Sequence, residues 1–395
     1  MLDIEIGETR GEMIKPEIRE IISRNFVLTF FAHFFFAVSF QSLLPTLPLY
    51  FAGLKYNDTE IGILIGAFAI AALLMRPLCG VALQKFTYKY VIACGCGIFS
   101  LTIITLLFVT GFWPLFLIRV FQGIAFGLVT TASFAFIVET SPPVRRGQSL
   151  AYFLLSANIS MVVAPSFGMF LINLFSFNTL FITLFIISVA AFTIIWLLRA
   201  EDSPEHTEKI AGTNSWFCRP AIPSSIVILL QQLGWGAISA FFPLYAVQNG
   251  VANPGLFFGA MALSMVACRA FGSNLITHCR LRNLIVTVIT GTVIGVVLLA
   301  ISSTLTLFIL AGLILGGAAA FMMPTLMDFA VRQAGSSSNV AVATFMGFAD
   351  LGMGLGPVIM GVLASSFGYS TMFFCVALTS TLNLLYSFAV LKENE

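Results

Sequence analysis

The chain has 395 residues, of which 59% are hydrophobic and 9% are charged, whereas soluble domains carry about 25% charged residues. This composition excludes a water-soluble globular protein, and a net charge of +2 with dispersed basic residues excludes a nucleic-acid-binding surface. Because a membrane helix needs about 20 mostly apolar residues, the length accommodates about twelve such helices joined by short loops.

The first 25 residues mix acidic and basic side chains with a few isoleucines. They lack the basic start and the apolar centre of a signal peptide, so we expect segment 1–25 to remain in the cytoplasm. A short amphipathic surface helix and a solvated tail are both compatible with its pattern.

Apolar runs long enough to cross a bilayer follow this segment in chain order. They occupy residues 26–51, 60–83, 90–110, 113–138, 149–174, 178–199, 223–247, 255–277, 284–303, 306–331, 340–366 and 370–391. A polar stretch, 200–222, follows the sixth run and is interpreted as a cytoplasmic linker. The sequence therefore predicts an all-α membrane protein, with six transmembrane helices in 26–199 and six more in 223–395.

Basic residues test this count, because cytoplasmic loops carry an excess of lysine and arginine. Of the 19 basic residues, Lys55 alone falls in a predicted outer loop, and Arg76, Arg119 and Arg269 lie within the predicted spans. The others fall on the predicted inner side. Both chain termini are thus expected in the cytoplasm, with the protein in a bacterial inner membrane.

The two halves of the sequence repeat each other. The matched pairs are Pro48-Leu49-Tyr50 with Pro243-Leu244-Tyr245, the segment from Arg76 to Gly80 with that from Arg269 to Gly272, Gly123 with Gly316, and Ala164-Pro165 with Gly356-Pro357. Internal repetition of this kind is how transporters build a site between two bundles that move against each other.

Three further motifs carry a family resemblance. Arg119 opens a spaced-glycine segment, 119–127; Glu139 opens an acidic, proline and Arg-Gly segment that includes Arg146; and Arg76 and Gly80 open the segment 76–89. Together these segments resemble the signatures of the major facilitator superfamily. Within 76–89, glutamine and threonine occupy positions 84 and 87, where that family usually has aspartate and glycine.

Segments 164–168 and 352–357 resemble the glycine-proline motif of the drug:proton antiporter branch, and 242–245, 324–326 and 349–352 resemble a bacterial exporter subgroup that includes staphylopine-type metallophore exporters. The resemblance implies a major facilitator fold and alternating access. The resulting prediction is a monomeric, proton-coupled exporter of a small amphipathic organic molecule, such as a drug-like compound or a metallophore, working in contact with the lipid bilayer.

Ionisable residues within spanning helices are candidates for function, because a charge in the membrane is costly unless it has a partner or faces a wet cavity. Asp350 lies about two helical turns before Pro357, and Asn158 is its counterpart before Pro165. Asp350 is interpreted as a proton-linked or substrate-linked carboxylate, with a structural acid as the alternative. For Arg119, helix packing and coupling both stay open.

The remaining candidates form two sets. Polar residues assigned to the substrate and proton pathway are Gln41, Gln122, His33, Tyr50 and Tyr245, in addition to Asp350, Arg119 and Asn158. For His33, aromatic packing is the alternative to proton handling. Residues assigned to gating on the cytoplasmic side are Arg76, Gly80, Glu139, Arg146, Arg269 and Asp328.

Other function classes fit less well. The sequence contains no Gly-Lys pair, which excludes a phosphate-binding loop and ATP coupling within this chain, and it lacks the common hydrolase motifs. Seven cysteines, including Cys94 and Cys96 on different sides of a helix, predict neither a disulfide framework nor a metal site, and no cofactor is expected. Proton-coupled uptake and lipid translocation stay as alternatives to export.

Overall fold

A computed structural model of the chain describes residues 23–142, 145–198, 218–251, 253–272, 281–334 and 338–390. These residues form long helices joined by short loops. The predicted N-terminal segment, apart from its last three residues, and most of the predicted linker lie outside the described residues.

Six helices make up the first half of the molecule. They are α1 (Arg24–Gly53), α2 (Asp58–Leu83), α3 (Tyr88–Thr105), α4 (Phe112–Thr140), α5 (Arg146–Leu174) and α6 (Phe177–Trp196). The second half begins with a short 3-10 turn, Arg219–Ala221, and continues with α7 (Ile222–Gln248), α8 (Gly255–Phe271), α9 (Leu281–Ile301) and α10 (Leu305–Ala334).

The last helical stretch, Ser338–Val390, is two helices joined at a sharp bend. Gly368 has φ 80° and ψ 167°, a conformation that glycine adopts far more readily than residues with a side chain. We call residues 338–367 α11 and residues 369–390 α12. The described residues therefore contain twelve long helical segments, in agreement with the predicted all-α membrane fold.

Polar residues at the helix starts explain several of these boundaries. Asn57 accepts a hydrogen bond from the backbone N–H of Glu60, and the Glu60 carboxylate accepts one from the N–H of Asn57, both at 2.9 Å. This reciprocal cap satisfies backbone donors that the first turn of α2 leaves free. Ser23 and Ser176 accept equivalent bonds at the starts of α1 and α6.

The helix ends define two faces of the molecule. The basic face carries Lys85, Lys89, Arg146 and Arg219, whereas the opposite face carries the loop that contains Lys55. On the basic face, the Lys89 ammonium donates to two backbone carbonyls at the end of α6, at 2.7 and 2.8 Å. A cation at this position satisfies carbonyls that have no partner within the helix.

Glycines allow the helices within each bundle to touch at their backbones. A Cβ atom added to Gly123 on α4 would lie 2.2 Å from the Phe68 carbonyl oxygen of α2. Its repeat partner Gly316 on α10 would place a Cβ 2.0 Å from the Met261 carbonyl oxygen of α8. Small residues permit such close approach, which replaces hydrophobic burial as the source of packing between membrane helices. The two halves thus share one internal packing pattern.

Contacts between the bundles come from a subset of the helices. α2 packs along α11, α5 packs against α8, and α1 packs against α7. Among the described residues, α4 and α10 have extended contacts only within their own bundles. The interface between the bundles is therefore built mainly from three helix pairs.

We predict that Gly123→Ala lowers the melting temperature of the purified protein, because its methyl group forces α4 away from α2. Overpacking of this kind costs roughly 1–3 kcal/mol. Gly80→Ala on α2 is the matched control, since a Cβ there meets no atom within 4 Å. An unchanged melting temperature for Gly123→Ala would contradict the close packing described here.

Candidate functional site

The α2–α11 pair brings the two bundles into backbone contact. A Cβ on Gly62 would lie 2.2 Å from the Pro357 carbonyl oxygen, and a Cβ on Gly66 would lie 2.4 Å from Val358 Cγ2 and 2.7 Å from the Gly354 carbonyl oxygen. A side chain at either position would push the helices apart. The bundles are consequently closest along this stripe of glycines.

Hydrogen bonds extend the α2–α11 contact to the opposite face. The Tyr369 hydroxyl donates to the Asp58 carboxylate at 2.6 Å. The hydroxyls of Thr59 and Ser365 lie 2.9 Å apart. These bonds hold the first turn of α2 against the bend between α11 and α12.

Toward the basic face, the same helix pair carries an ion pair. The Arg76 Nε lies 2.5 Å from Asp350 Oδ2, and its Nη2 lies 3.3 Å from Asp350 Oδ1. Two parallel bonds of this type fix the geometry of the pair as well as strengthening it. The side chains are 28% and 24% exposed. The sequence analysis assigned Asp350 to the pathway and Arg76 to the gate, and the structure brings them together across the interface.

The repeat-related pair, α5 with α8, carries a similar contact without the acid. The Arg269 Nη1 donates to the Asn158 side-chain oxygen at 2.9 Å, and its Nε donates to the Ala320 carbonyl at 3.2 Å. Arg269 corresponds to Arg76 and Asn158 corresponds to Asp350 in the internal repeat. The two contacts are therefore equivalent in position and different in charge.

Glycines also line the α5–α8 pair, but they meet side chains. A Cβ on Gly255 would lie 2.8 Å from Met169 Cβ, and one on Gly259 would lie 3.1 Å from Ser166 Oγ. Side chains yield more easily than backbone. The α5–α8 interface is accordingly less tightly fixed than the α2–α11 interface.

Arg119 lies inside the first bundle and is 2% exposed. Its Nε donates to the Leu64 carbonyl at 3.0 Å, its Nη1 donates to the Gln122 side-chain oxygen at 2.8 Å, and its guanidinium lies 4.7 Å from the centre of the Phe68 ring. All these partners are on α2 or α4. The structure thus places Arg119 and Gln122 in the packing between two helices of one bundle.

Its counterpart in the second half supports this interpretation of Arg119. The matching position is Gly312, where an added Cβ would lie 2.8 Å from the Phe257 carbonyl oxygen. Phe257 is the repeat partner of Leu64, whose carbonyl accepts the Arg119 bond. In the first half, the Arg119 guanidinium fills the space between α2 and α4. In the second half, Gly312 lets α8 and α10 come close enough that no such space is left.

The two repeated tyrosines, which were assigned to the pathway, form hydrogen bonds within their own bundles. The Tyr50 hydroxyl donates to the Leu106 carbonyl at 3.0 Å, just after α3. The Tyr245 hydroxyl lies 3.1 Å from the Ala300 carbonyl and 3.0 Å from the Ser302 carbonyl, at the end of α9. Carbonyls at helix ends have no partner within the helix, so these hydroxyls satisfy them.

His33 and Gln41 join α1 to α5 within the first bundle. The His33 Nδ1 lies 2.8 Å from Ser156 Oγ, and the ring packs against Phe153 at 4.8 Å between centroids. The Gln41 amide donates to Ser160 Oγ at 2.9 Å. For His33, the structure matches the packing alternative.

The other residues assigned to gating show no link between the bundles among the described contacts. Glu139 accepts a hydrogen bond from the Tyr88 hydroxyl within the first bundle. Asp328 forms an ion pair of 2.9 Å with Arg332 on its own helix. Gly80 and Arg146 are exposed near the basic face. Within the described part of the chain, Arg76 and Arg269 are the two gating candidates that reach across.

Sequence reasoning missed the glycine stripes that bring these arginines to the interface. Gly62 and Gly66 on α2 match Gly255 and Gly259 on α8 at the same offset that relates Arg76 to Arg269. An extended comparison of the two halves would have revealed this pattern. The offset shows which positions in the two halves are equivalent, but not which helices touch. It therefore could not predict that α2 pairs with α11 and that α8 pairs with α5.

Comparison with known proteins identifies a family. The model of the Major Facilitator Superfamily matches residues 29–336 and 224–395. Among curated relatives, the staphylopine export protein of Staphylococcus aureus strain Mu50 is 25% identical over 361 residues, covering 87% of this chain and 90% of the relative. The multidrug resistance efflux pump PmrA of Streptococcus pneumoniae serotype 4 is 24% identical over 396 residues, covering 94% and 98%.

Solved structures of similar fold include two transporters. The nucleoside transporter NupG has a TM-score of 0.78 at 16% identity, covering 94% of this chain and all of that structure. An inward-facing, unoccupied bacterial homologue of the human lysosomal transporter Spinster has a TM-score of 0.77 at 13% identity, covering 93% and 98%. At these identities, the likeness concerns the fold.

We predict that Tyr245→Phe lowers the stability of the protein and leaves its affinity for substrate unchanged. Removal of the hydroxyl leaves carbonyls at the end of α9 without a donor, which costs roughly 1–3 kcal/mol. Thermal unfolding of the purified protein measures the effect, and Tyr90→Phe is the control because that ring is half exposed. A change in substrate affinity at unchanged melting temperature would instead restore Tyr245 to the pathway.

Proposed function

Because the chain belongs to the Major Facilitator Superfamily, we propose that it exports a small amphipathic organic molecule by alternating access, in exchange for protons. Two relatives that align over most of the chain are named for the export of staphylopine and for multidrug efflux. Their names support export as the direction. For the cargo, they support a drug-like compound or a metallophore.

The ion pair between Arg76 and Asp350 carries the proposal of proton coupling. It joins α2 of one bundle to α11 of the other. While Asp350 is ionised, the attraction between the two side chains holds the helices together. A proton on Asp350 removes that attraction, because a neutral carboxyl group has no ionic interaction with the guanidinium. Proton binding is thereby linked to separation of the bundles.

The distribution of contacts supports a rocking motion. On the opposite face, α2 is joined by hydrogen bonds to Ser365 of α11 and to Tyr369 of α12, and by backbone contact to α11 at Gly62. Toward the basic face, the joining contacts are the side-chain pairs of Arg76 and Arg269, which can exchange partners without repacking a helix. This arrangement favours a pivot along the glycine stripe, with the basic side as the part that opens.

Exchange of protons for cargo follows from this linkage. Rocking about the stripe exposes the interface first to one face and then to the other. If Asp350 releases its proton on one face and binds a proton on the other, the proton gradient drives the cycle in one direction. Population of each conformation then depends on the protonation of one carboxylate, as a two-state linkage requires.

Placement in the cell follows from charge. Basic loops favour the cytoplasmic side of a membrane, so we place the basic face of this multi-pass protein in the cytoplasm. Both termini then lie in the cytoplasm, and the membrane is the inner membrane of a bacterium. The helices at the interface of one bundle pair with helices of the other bundle in the same chain, which supports a monomer as the working unit.

We predict that Asp350→Asn abolishes the dependence of transport on the pH gradient. The amide keeps the size of the side chain but cannot bind a proton, so the linkage is lost. The test is transport by purified protein in liposomes with an imposed pH gradient, using a panel of amphipathic dyes and drug-like compounds. Gradient-driven accumulation should fall at least about tenfold, which corresponds to a loss of about 1.4 kcal/mol in the free energy of accumulation.

Asp328→Asn is the matched control, because its carboxylate is exposed and paired on its own helix. Exchange of labelled for unlabelled substrate without a gradient should persist in Asp350→Asn, which separates loss of coupling from loss of folding. Unchanged proton dependence in Asp350→Asn would refute the proposed role, and uptake driven by the same gradient would reverse the proposed direction.

We also predict that reporter proteins fused to either terminus are active on the cytoplasmic side. Fluorescent-protein and alkaline-phosphatase fusions give opposite signals on the two sides of the membrane. A fusion within the loop at 54–57 should report the outer side. Opposite locations for the two termini would contradict an even number of spans.

A further inference from the structure

We propose that Arg269 and Asn158 form a binding site for an oxyanion, a carboxylate or a phosphate group, between the two bundles. On the proposed function, this group belongs to the cargo, so the exported molecule carries an acidic group. The proposal starts from the difference between two contacts that the internal repeat makes equivalent.

A carboxylate is missing from one of these two contacts. Arg76 is paired with Asp350, whereas Arg269 has the neutral amide of Asn158 in the same place. Among the described residues, Arg269 has no carboxylate partner. A guanidinium held between two packed helices is costly without an opposite charge or water, so the missing carboxylate favours an anionic ligand.

The geometry leaves donors available for that ligand. Two hydrogen bonds, to the Ala320 carbonyl and to the Asn158 oxygen, fix the plane of the Arg269 guanidinium. Its Nη2 has no acceptor among the described residues. Since the Asn158 oxygen faces the guanidinium, the amide nitrogen supplies donors beside it. A planar oxyanion can accept from both groups, which is the arrangement that arginine favours with carboxylate and phosphate.

The location suits a ligand that passes between the bundles. Asn158 lies about 18 Å along α5 from its first residue, Arg146, at a rise of 1.5 Å per residue. It is contributed by the first bundle, while Arg269 and Ala320 belong to the second. Rocking of the bundles would therefore change the distance between the two halves of the site. A ligand held there would be released when the halves separate.

The bilayer is a second source of the same chemistry. Arg269 is exposed, and its neighbour Phe271, 86% exposed, ends α8 near the basic face. A phosphate group of an anionic lipid can reach such a position. The cargo and the lipid differ in whether a soluble anion binds, so the experiment contains one arm for each source.

The test measures binding to the purified full-length protein in neutral detergent, without any gradient. The soluble probe is naphthylacetate, compared with its neutral amide, and the lipid probe is phosphatidylglycerol, compared with phosphatidylcholine. We expect naphthylacetate to bind in preference to the amide, and Arg269→Gln to weaken that binding about tenfold to a hundredfold, as expected for a lost charge-assisted hydrogen bond.

Asn158→Asp provides a second variant with a distinct expectation. Its carboxylate would pair with Arg269 as Asp350 pairs with Arg76, and would block the probe while the protein stays folded. Arg332→Gln, which removes an exposed charge paired on its own helix, is the control and should bind as the unaltered protein does. Melting temperatures without probe verify folding of every variant.

The outcomes are decisive in each arm. If only the binding of phosphatidylglycerol depends on Arg269, the oxyanion site binds lipid, and the conclusion about an acidic cargo is wrong. If neither anion binds better than its neutral counterpart, or if binding is the same in Arg269→Gln, the site does not exist. Because no gradient is present, this result is independent of whether Asp350 couples transport to protons.

Discussion

Backbone contact between α2 and α11 is the interaction on which the arrangement of the two bundles depends. Lipid offers no hydrophobic reason for helices to associate, so close packing has to supply the attraction. Gly62, Gly66 and Gly354 provide it by letting the helices touch where side chains would separate them. Because this stripe fixes the spacing of the two helices, Arg76 reaches Asp350 with two of its three side-chain nitrogens. The ion pair is thus a consequence of the glycines.

The internal repeat places two equivalent interfaces between the bundles, and the residues of these interfaces differ. In the α2–α11 interface, glycine faces backbone and arginine faces aspartate. In the α5–α8 interface, glycine faces the side chains of Ser166 and Met169, and arginine faces an amide. The closely packed α2–α11 interface suits a pivot, and its ion pair suits a contact that breaks when Asp350 binds a proton. The α5–α8 interface is less closely packed and its arginine has no acidic partner among the described residues, so it suits contact with a ligand. Because the two interfaces differ in packing and in charge, a structure built from two similar halves can favour one direction of transport.

Most polar residues in the spans serve packing within a bundle, which is why intramembrane polarity alone was a weak guide to the site. Arg119 bonds to a backbone carbonyl of α2, and Tyr245 bonds to the end of α9. In lipid, a polar group without water has to find a partner in the protein. Such partners are usually on an adjacent helix of the same bundle. Arg76 and Arg269 differ because each has a side-chain partner in the other bundle.

The sequence by itself indicated the membrane class, the all-helical fold and the transporter family, and the comparisons confirm the family. Apolar runs and short family motifs are local signals, so they can be read without coordinates. Only the tertiary structure decided which side chains meet. Arg76 and Asp350 are 274 residues apart, and Asn158 and Arg269 are 111 apart. Helical periodicity fixes the face of its own helix on which a residue lies, whereas the packing of different helices decides what that face touches.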